Sequence, residues 1–426
     1  MPSLPDPLPI APRGPLEARV RVPGSKSVTN RALVAAALAD GPSTLTGGLE
    51  SDDTRVMVAC LRALGVTLDV GGESWRVEGC GGRLRAPEAP LFTGNSGTTA
   101  RFLTAAATLA DGPVVVDGGP RMRERPIDDL TRALGELGAA CRIEGARGCP
   151  PVRVAGGGLP GGDAAIDARR SSQYVSAVLL AAPYASRDVT LRFEGGELVS
   201  RPYVDLTLDV MRAFGADAGW RGDDALRVRA GARYRGRGYP VEADASSAAY
   251  PFCAAAIAGG RVRVDGISPA TRQPDIGVLD LLERMGCRVV RGDDWAEVHG
   301  PEDRLRGIDV DMNVLPDAVL AVAVVALFAE GPTRIRNVAN LRIKETDRLA
   351  ALETELRKLG ADARAGRDSL TIAPRPLRPA EIDTYDDHRM AMAFALAGLR
   401  QPGVAIRDPG CVSKTWPGYF AMLGAL

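Results

Sequence analysis

The chain has 426 residues, too many for one hydrophobic core, so we expect at least two domains. Its 53 basic residues balance its 53 acidic residues, and this zero net charge excludes the positive field typical of nucleic-acid-binding proteins. The longest apolar run, 318–329, is shorter than the roughly 20 residues of a membrane span. We therefore predict neither a nucleic-acid partner nor membrane insertion.

Seven cysteines are scattered along the chain without a Cys-x-x-Cys pair, and only two histidines occur. This pattern disfavours a zinc site and a disulfide framework, and it favours a reducing compartment. The residues before Pro15 are rich in proline and lack the basic and apolar regions of a signal peptide. We therefore expect a cytoplasmic protein that uses no metal and no cofactor.

One α/β unit recurs six times along the chain. Each unit begins with a helix that is apolar on all faces, continues with a short strand, and adds an amphipathic helix that ends at a glycine. A helix that is apolar all round is usually buried, which places the first helices inside the fold. The buried helices are predicted over 25–39, 95–110, 171–185, 246–258, 316–329 and 386–399, the strands over 43–45, 114–116, 189–191, 261–264, 333–335 and 404–406, and the closing glycines are Gly65, Gly138, Gly215, Gly286, Gly360 and Gly424.

Polar strings stand at the starts of these buried helices, where Ser, Thr, Asn and Asp act as N-caps. Helix N-termini present unbonded N–H groups and the positive end of the helix dipole, and both suit phosphate and carboxylate groups. If several such helix starts converge, the fold itself forms an anion-binding site.

Lysine is rare in this chain, since only Lys26, Lys344, Lys358 and Lys414 occur among the 53 basic residues. Lysine is a compact point charge and arginine a planar fork, so we interpret three of the lysines as retained where a guanidinium does not fit. Lys358 is interpreted as ordinary helix surface. Chance retention of solvated lysines is the alternative interpretation of the other three.

Three polar strings lie in the first half of the chain. Residues 22–31, Val-Pro-Gly-Ser-Lys-Ser-Val-Thr-Asn-Arg, lack the spacing of a P-loop, and a glycine turn before a capped helix explains them equally well. In residues 94–101, Gly97 permits a ligand to approach the backbone closely. Residues 121–126 hold three arginines that should repel one another unless an anion or an acidic partner is near; a solvated basic loop is the alternative.

The second half contains the densest charged string, Asn-Leu-Arg-Ile-Lys-Glu-Thr-Asp-Arg over 340–348. As plain surface it would be an ion-paired helix start that contributes little to stability. Residues 386–390, Asp-Asp-His-Arg-Met, open the sixth buried helix, where a cation opposes the helix dipole and requires an anion nearby. Pro316 and Asp317 are standard helix-start residues, and Ser171-Ser172 is ordinary capping.

Together and in this order, the strings resemble those of the 5-enolpyruvylshikimate-3-phosphate synthases from about residue 17 to the C-terminus. The motifs that carry the resemblance are Pro-Gly-Ser-Lys-Ser-x-x-Asn-Arg, Gly-Asn-x-Gly-Thr, Pro-Arg-Met-x-Glu-Arg-Pro, Arg-x-Lys-Glu-Thr-Asp-Arg and Asp-His-Arg-Met-Ala-Met. The resemblance implies an α/β fold of two domains, each with three repeated units whose buried parallel helices lie inside and sheets outside. It also implies a discontinuous domain of residues 1–23 and 241–426, a second domain of residues 24–240, and an active site in the cleft between them.

The resemblance further implies transfer of the carboxyvinyl group of phosphoenolpyruvate to the 5-hydroxyl of shikimate 3-phosphate, with release of phosphate through a tetrahedral intermediate. These two small molecules would be the partners, in the shikimate pathway of aromatic amino-acid biosynthesis, and the enzyme would be a monomer. Closure of the cleft would exclude water and strengthen the electrostatic interactions.

The resemblance assigns roles to individual residues. Lys26, Ser27, Arg31, Ser171, Ser172, Gln173, Ser200, Tyr203, Asp317, Asn340 and Lys344 should bind shikimate 3-phosphate, and Lys26, Asn95, Gly97, Arg125, Gln173, Arg348, Arg389 and Lys414 should bind phosphoenolpyruvate. Lys26, Asp317 and Glu345 should be catalytic, with Asp317 accepting the hydroxyl proton and Glu345 protonating the methylene carbon. Asp317 among cations should be a weak base whose usefulness depends on close positioning, and the two acids could exchange parts between addition and elimination.

Two alternatives stay open at this point. The related transferase that acts on UDP-N-acetylglucosamine would need a reactive cysteine in a loop of the second or third unit, and the strings 121–126 and 171–173 argue against it. A non-catalytic sensor of phosphorylated ligands on the same fold should have lost Asp317 or Glu345, and this chain keeps both.

Overall fold

A computed structural model describes residues 4–426, which divide into two compact units. Unit 1 contains the chain up to Pro23 together with Glu242–Leu426, and unit 2 is Gly24–Val241. The chain leaves unit 2 one residue after the predicted position. The Val241 backbone N–H still donates to the Thr46 carbonyl at 2.8 Å, which keeps this residue in the strand pairing of unit 2.

The α-helices alternate between apolar ones and amphipathic ones along the chain. They are α1 (Lys26–Leu38), α2 (Asp52–Ala63), α3 (Gly97–Ala106), α4 (Asp128–Glu136), α5 (Ser172–Ala181), α6 (Arg201–Ala213), α7 (Ala245–Ala258), α8 (Val278–Arg284), α9 (Val319–Val325), α10 (Arg348–Lys358), α11 (His388–Gly398) and α12 (Tyr419–Ala425). Short 3-10 turns continue α3, α5 and α9 over Ala107–Leu109, Ala182–Tyr184 and Ala326–Phe328, and another, Pro316–Ala318, precedes α9.

The strands are short and lie between these helices. They are β1 (Leu8–Pro9), β2 (Leu16–Arg21), β3 (Asp40–Thr46), β4 (Thr67–Asp69), β5 (Ser74–Cys80), β6 (Leu91–Phe92), β7 (Val114–Asp117), β8 (Cys141–Ile143), β9 (Val152–Val154), β10 (Gly162–Ala168), β11 (Val189–Leu198), β12 (Ala218–Trp220), β13 (Ala225–Val228), β14 (Gly238–Pro240), β15 (Gly260–Asp265), β16 (Arg288–Arg291), β17 (Trp295–His299), β18 (Leu305–Arg306), β19 (Asp309–Asp311), β20 (Ala329–Glu330), β21 (Thr333–Arg336), β22 (Asp362–Ala365), β23 (Leu370–Ala373), β24 (Ala380–Ile382) and β25 (Val404–Ile406).

Unit 2 contains three four-stranded sheets of one topology, in the orders β14-β3-β5-β4, β6-β7-β9-β8 and β10-β11-β13-β12. In each sheet the first pair is parallel and the other two pairs are antiparallel. A parallel pair needs a crossover connection, and the buried helices α3 and α5 supply it for β6-β7 and β10-β11. The repeat in the sequence is therefore a repeat of this helix-crossover unit.

Unit 1 has two sheets of the same kind, β2-β15-β17-β16 and β19-β21-β23-β22. Its third large sheet has only three strands, in which β24 pairs in parallel with β25 and β1 pairs with β25 from the other side in antiparallel register. Strand β2 precedes α1 in the chain but pairs with β15, whereas β14 precedes α7 and pairs with β3. This exchange of strands makes unit 1 discontinuous in sequence.

The apolar helices form the centre of each unit. In unit 2, α1, α3 and α5 contact one another, and in unit 1 the helices α7, α9 and α11 do the same. Residues 32–38 of α1 are each 1% exposed or less. The prediction that these helices are buried is confirmed. In residues 4–426, no helix combines the length and the apolar character needed to cross a membrane.

Five of the six predicted closing glycines adopt the left-handed conformation, with φ between 86° at Gly65 and 107° at Gly360. Each of these five glycines turns the chain from an amphipathic helix into the hairpin that follows. The sixth prediction is wrong, because Gly424 lies inside α12.

Candidate active site

Lys26 is the first residue of α1, directly after the N-cap Ser25, whose hydroxyl accepts from the Val28 N–H at 3.4 Å. Its Nζ lies 3.8 Å from Oδ2 of the buried Asp53, in the first turn of α2. Sequence analysis missed Asp53 because an acid in the first turn of a helix is explained by the helix dipole alone. The structure therefore gives the Lys26 ammonium a fixed carboxylate neighbour.

Arg31 is buried on α1, and its hydrogen-bond acceptors in the described residues are all uncharged. The guanidinium donates to Thr207 Oγ1 at 2.7 Å, the Ser27 carbonyl at 2.9 Å, the Tyr203 carbonyl at 3.2 Å and Ser176 Oγ at 3.4 Å. Burial lowers the pKa of Arg31 to about 10, because the charged form loses hydration. An anion bound beside this group would stabilise its charge.

Gly97 is the first residue of α3, and two arginines converge on it. Arg125 Nη1 donates to the Asn95 carbonyl at 3.1 Å and to Asn95 Oδ1 at 3.3 Å. A Cβ atom at Gly97 would stand 2.6 Å from Arg125 Nη2 and 2.7 Å from Arg101 Nη1, both too close for a real contact. Glycine at this position lets both guanidinium groups approach the start of α3.

Arg101 is a buried cation that sequence analysis quoted in a motif without assigning it a role. Its Nη2 donates to the Pro126 carbonyl at 3.1 Å, and the Tyr174 hydroxyl donates to the same carbonyl at 2.7 Å. Its Nε has no hydrogen-bond partner within residues 4–426. Arg101 thus holds the backbone directly after Arg125. Its position four residues after Gly97, on the same face of α3, is the signal that could have identified it.

Two arginines of the basic loop 121–126 have acidic partners nearby. Arg121 Nη1 pairs with Glu124 Oε2 at 2.9 Å, and Arg123 Nε pairs with Asp117 Oδ1 at 2.9 Å. The hydrogen bond from Arg123 lowers the pKa of Asp117 below its ordinary value. These two arginines therefore have the acidic partners that the sequence called for, Glu124 inside the string and Asp117 outside it. Arg125 alone turns inward.

Two further helix starts in unit 2 carry the remaining predicted polar residues. Ser171 caps α5 by accepting from the Gln173 N–H at 3.2 Å, and Ser172 opens that helix. Ser200 is at the N-cap position of α6 in the left-handed conformation, φ 53°, without a capping hydrogen bond from its side chain, and it is buried. Tyr203 follows in the first turn of α6, where its carbonyl accepts from Arg31.

The starts of the buried helices of unit 2 differ in charge from those of two of its three amphipathic helices; the third, α6, also has no acidic residue in its first turn. Helices α1, α3 and α5 have no acidic residue in the first turn. By contrast, α2 begins with Asp52 and Asp53, and α4 begins with Asp128 and Asp129. The positive dipole ends of the buried helices are thus left without an acidic side chain in their own first turn, which suits an anionic ligand.

Arg348 is the centre of the charged cluster in unit 1, and it is 1% exposed. It donates to Asp387 with Nε at 2.7 Å and Nη2 at 3.2 Å, to Glu345 Oε2 at 3.0 Å and to Asp317 Oδ1 at 3.1 Å. Burial alone would lower the pKa of Arg348, but these three carboxylates raise it above its ordinary value. Within the string 340–348, Glu345 and Arg348 therefore belong to a buried network, whereas Arg342 and Lys344 are partly exposed.

Asp317 lies among three cations. Its Oδ2 accepts from Arg389 Nη2 at 3.0 Å, and its Oδ1 lies 3.1 Å from Arg348 Nη1 and 3.8 Å from Lys344 Nζ. Asp317 and Glu345 are therefore both bonded to the same guanidinium. The pair of carboxylates that the resemblance assigned to proton transfer occupies one cluster.

Asp387 is a fully buried residue that sequence analysis did not assign. It caps α11, where its Oδ1 accepts from the Arg389 N–H at 2.9 Å, and it binds Arg348 through both carboxylate oxygens. Arg389 Nη1 reaches the Tyr250 hydroxyl at 3.4 Å. In the sequence, Asp387 is fully explained as the N-cap of a helix. Nothing in the local pattern indicates that it also binds Arg348.

Asn340 and Lys414 lie in 3-10 turns of unit 1, Ala339–Ile343 and Pro409–Lys414. Asn340 is buried, and its Oδ1 accepts no hydrogen bond within residues 4–426. Burial raises the pKa of Asp386, and the positive charge of Lys414 partly opposes this shift. Both positions therefore offer polar groups that a ligand hydroxyl or carboxylate could use.

The predicted residues form one set in each unit. Unit 2 holds Lys26, Ser27, Arg31, Asn95, Gly97, Arg125, Ser171, Ser172, Gln173, Ser200 and Tyr203, and unit 1 holds Asp317, Asn340, Lys344, Glu345, Arg348, Arg389 and Lys414. Among residues 4–426, no group of three His, Cys, Asp or Glu side chains is arranged to hold a metal ion.

Comparison with known proteins identifies the family. The sequence profile of EPSP synthase (3-phosphoshikimate 1-carboxyvinyltransferase) matches residues 10–423. The chain is 47% identical over 408 residues to a 3-phosphoshikimate 1-carboxyvinyltransferase of Trichormus variabilis, covering 95% of each protein. It is 48% identical over 412 residues to one of Yersinia pseudotuberculosis, covering 96% of this chain and 95% of the relative.

Solved structures agree with these relatives. EPSP synthase from Acinetobacter baumannii matches with a TM-score of 0.81 at 28% identity, over 98% of this chain and 97% of that one. The enolpyruvyl transferase NikO from Streptomyces tendae has a TM-score of 0.80 at 22% identity, over 99% and 98% of the two chains, and shows the fold alone. The predicted α/β fold class is confirmed. The chain belongs to the EPSP synthase (3-phosphoshikimate 1-carboxyvinyltransferase) family.

Proposed function

We propose that this protein transfers the carboxyvinyl group of phosphoenolpyruvate to the 5-hydroxyl of shikimate 3-phosphate, as a transferase of the shikimate pathway. The observation that carries the proposal, beside family membership, is the cluster around Arg348. It combines two carboxylates, Asp317 and Glu345, with three cations in largely buried surroundings. Proton transfer and anion binding are the two demands of this reaction.

In this proposal, shikimate 3-phosphate binds mainly to the helix starts of unit 2. Ser171 and Ser172 at α5 and Ser200 at α6 would donate to the 3-phosphate, with Lys344 as its counter-charge. Ser27, Arg31, Gln173, Tyr203 and Asn340 would hold the ring and its carboxylate. Three observations support this part: the acid-free start of α5, the uncharged acceptors of Arg31 and the open acceptor Oδ1 of Asn340.

Phosphoenolpyruvate brings a phosphate and a carboxylate, and it would bind to cations from both units. Arg125, beside Gly97 and Asn95, would take one group at the start of α3, with Lys26 and Gln173 close to the transferred carbons. Arg348, Arg389 and Lys414 would take the other. Asp317 accepts hydrogen bonds from Arg348 and Arg389. The anionic groups of phosphoenolpyruvate would therefore replace Asp317 as a partner of part of this positive charge.

The chemistry then follows in two steps. Glu345 protonates the methylene carbon of phosphoenolpyruvate, the 5-hydroxyl attacks carbon 2, and Asp317 takes the hydroxyl proton, which gives the tetrahedral adduct. In the second step the bond from carbon 2 to the phosphate oxygen breaks, and its electron pair leaves with phosphate. One carboxylate takes a proton from the methyl group, which restores the double bond, and phosphate takes the proton held by the other.

The alternative that acts on UDP-N-acetylglucosamine requires a reactive cysteine in the second or third unit. The cysteines there are Cys141 and Cys149. Burial raises the pKa of Cys141 to about 11 and raises that of Cys149 as well, so both thiols are poor nucleophiles at neutral pH. This observation favours the shikimate substrate.

The deciding measurement is phosphate release from phosphoenolpyruvate with and without shikimate 3-phosphate. We expect release only when both substrates are present, in equal amount to the enolpyruvyl product. Asp317→Asn and Glu345→Gln should each lower turnover by about 10²- to 10⁴-fold while circular dichroism shows an unchanged fold. Release that does not depend on shikimate 3-phosphate, or none at all, would sink the proposal.

The proposal includes a monomer in the cytoplasm. The seven cysteines are free thiols, which suits a reducing compartment. Light scattering after size exclusion should give the mass of a single chain, and a mass twice as large would contradict this part.

A further inference from the structure

The turn between β24 and α11 contains two consecutive left-handed residues that are not glycine. Tyr385 has φ 56° and Asp386 has φ 53°. For a bulky side chain such as tyrosine this conformation is a genuine outlier, and it persists only where surrounding contacts enforce it. The next residue is Asp387, which caps α11 and binds Arg348.

The contacts that enforce the turn come from Glu355, a fully buried carboxylate near the end of α10. It accepts from the Tyr385 hydroxyl at 2.6 Å, from the Asp383 N–H at 3.2 Å and from Lys358 Nζ at 2.9 Å. Lys358 Nζ also binds Asp383 Oδ2 at 2.6 Å. The interpretation of Lys358 as ordinary helix surface was therefore wrong, because it pairs with the buried Glu355 on its own helix and with Asp383, 25 residues away in the chain.

Helix α10 holds this segment at two points. Arg348 at its start binds Asp387, and Glu355, two turns later and roughly 10 Å along the axis, binds Tyr385 and Asp383. The strained turn lies between the two points of attachment. Its geometry therefore determines where Asp387 stands relative to Arg348.

The side chain of Tyr385 is 41% exposed, so it is not a core residue held by packing. Its hydroxyl donates to the buried Glu355 carboxylate, and it also interacts with the Thr354 side chain on the same helix. A tyrosine that kept only a packing role would bury its ring and would not need a left-handed backbone. The arrangement favours a role in setting the turn.

We propose that Glu355, Lys358 and Tyr385 form a positioning cluster for the phosphoenolpyruvate-binding arginines. The cluster fixes the turn 383–387, the turn fixes Asp387, and Asp387 orients Arg348 through its carboxylate and Arg389 through the start of α11. None of the three residues touches substrate. This inference rests on the proposed function of the arginines.

Tyr385→Phe tests the cluster, because it removes one hydroxyl and keeps the ring. We expect KM for phosphoenolpyruvate to rise about tenfold, as for the loss of a hydrogen bond to a charged group, while KM for shikimate 3-phosphate stays within about twofold. Lys358→Met should likewise raise KM for phosphoenolpyruvate without raising KM for shikimate 3-phosphate. Lys358→Arg keeps the charge, so its KM for phosphoenolpyruvate should be close to that of wild type. Glu353→Gln is the matched control on the same helix, since Glu353 pairs with Arg357 at the surface and should leave both constants unchanged.

A second measurement works without turnover. Amide hydrogen exchange over residues 385–391 of the substrate-free protein should be faster in Tyr385→Phe than in wild type. Unchanged exchange together with unchanged KM for phosphoenolpyruvate would overturn the inference, and so would a loss of thermal stability without the KM split. If wild-type protein shows no shikimate-dependent phosphate release, the proposed function fails, whereas the exchange result still decides whether the cluster fixes the turn.

Discussion

At Gly97, the absence of a side chain determines how closely two guanidinium groups approach the start of α3. A methyl group there would meet Arg125 and Arg101 below 3 Å, and both arginines are buried, so neither can simply swing into solvent. Gly97 thus has two roles. Its backbone N–H is a donor at a helix start, and its lack of a side chain leaves room for the two guanidinium groups.

Gly97→Ala is therefore expected to weaken phosphoenolpyruvate binding. The displaced arginines should cost about 1–3 kcal/mol, which is about 5- to 150-fold in KM for phosphoenolpyruvate, with a smaller change for shikimate 3-phosphate. Steady-state kinetics with each substrate varied in turn measures the difference. Gly135→Ala in α4 is the control, because a Cβ there meets nothing within 4 Å and should leave kinetics unchanged. Equal constants in Gly97→Ala and wild type would contradict the steric argument.

Cys141 gives a pH-dependent prediction. Its folded-state pKa is raised to about 11 by burial, so the thiolate is the minor form below that pH and its fraction grows about tenfold per pH unit. Alkylation by iodoacetamide should be slow at pH 7 and accelerate steadily up to pH 10. In unfolded protein the thiol regains an ordinary pKa near 8.5, so alkylation should be faster than in folded protein throughout the interval from pH 7 to pH 10. Rapid alkylation at pH 7 that abolishes turnover would support the alternative substrate instead.

At the scale of elements, α10 and α11 are joined by one buried ion pair, Arg348 with Asp387. Both elements begin at these residues, so the pair sets the distance between two helix starts. Removing one partner of a buried pair leaves the other charged without compensation, which is more costly than losing an exposed pair.

Asp387→Asn should accordingly lower the free energy of unfolding by about 3 kcal/mol, measured by urea denaturation. Glu381→Gln is the comparison, since the Glu381–Arg407 pair is exposed and its loss should leave the free energy of unfolding nearly unchanged. Similar midpoints for Asp387→Asn and wild type would show that Glu345 and Asp317 alone satisfy Arg348.

The elements also show where sequence reasoning ends. Apolar stretches identified all six buried helices, but the predicted start at Asn95 moves to Gly97, because Asn95 lies in a turn and Ser96 is the extended N-cap. The pairing of β2 with β15 and the contact between Arg348 and Asp387 join residues far apart in the chain. Local patterns carry no signal for such partners. The turn at Tyr385 was missed for the opposite reason, since tyrosine normally argues against a left-handed backbone.

At the scale of the whole molecule, each unit has its own hydrophobic core. The core of unit 2 runs from Val28 to Val241 and is drawn wholly from one continuous segment. The core of unit 1 combines Leu16 and Val22 with residues from 245 onward. Unit 2 can therefore complete its core from one continuous segment, whereas unit 1 needs residues from both ends of the chain.

A fragment of residues 24–241 should fold alone. We expect a native-like circular dichroism spectrum and one cooperative urea transition, since β14 completes the first sheet within the fragment. It should release no phosphate, because Asp317 and Glu345 are absent. A fragment of residues 242–426 is the comparison, and it should unfold earlier because β15 lacks its neighbour β2. A fragment 24–241 without a cooperative transition would contradict this prediction.

The pairing of β2 with β15 has a consequence for synthesis on the ribosome. The partners Glu17 and Arg261 are 244 residues apart, so at about 5–20 residues per second β2 emerges roughly 10–50 s before its neighbour exists. During that interval unit 2 can fold completely, while β2 waits as a short unpaired edge. Its sequence, Leu-Glu-Ala-Arg-Val-Arg, alternates charged and apolar side chains, which protects such an edge from wrong partners until the chain returns.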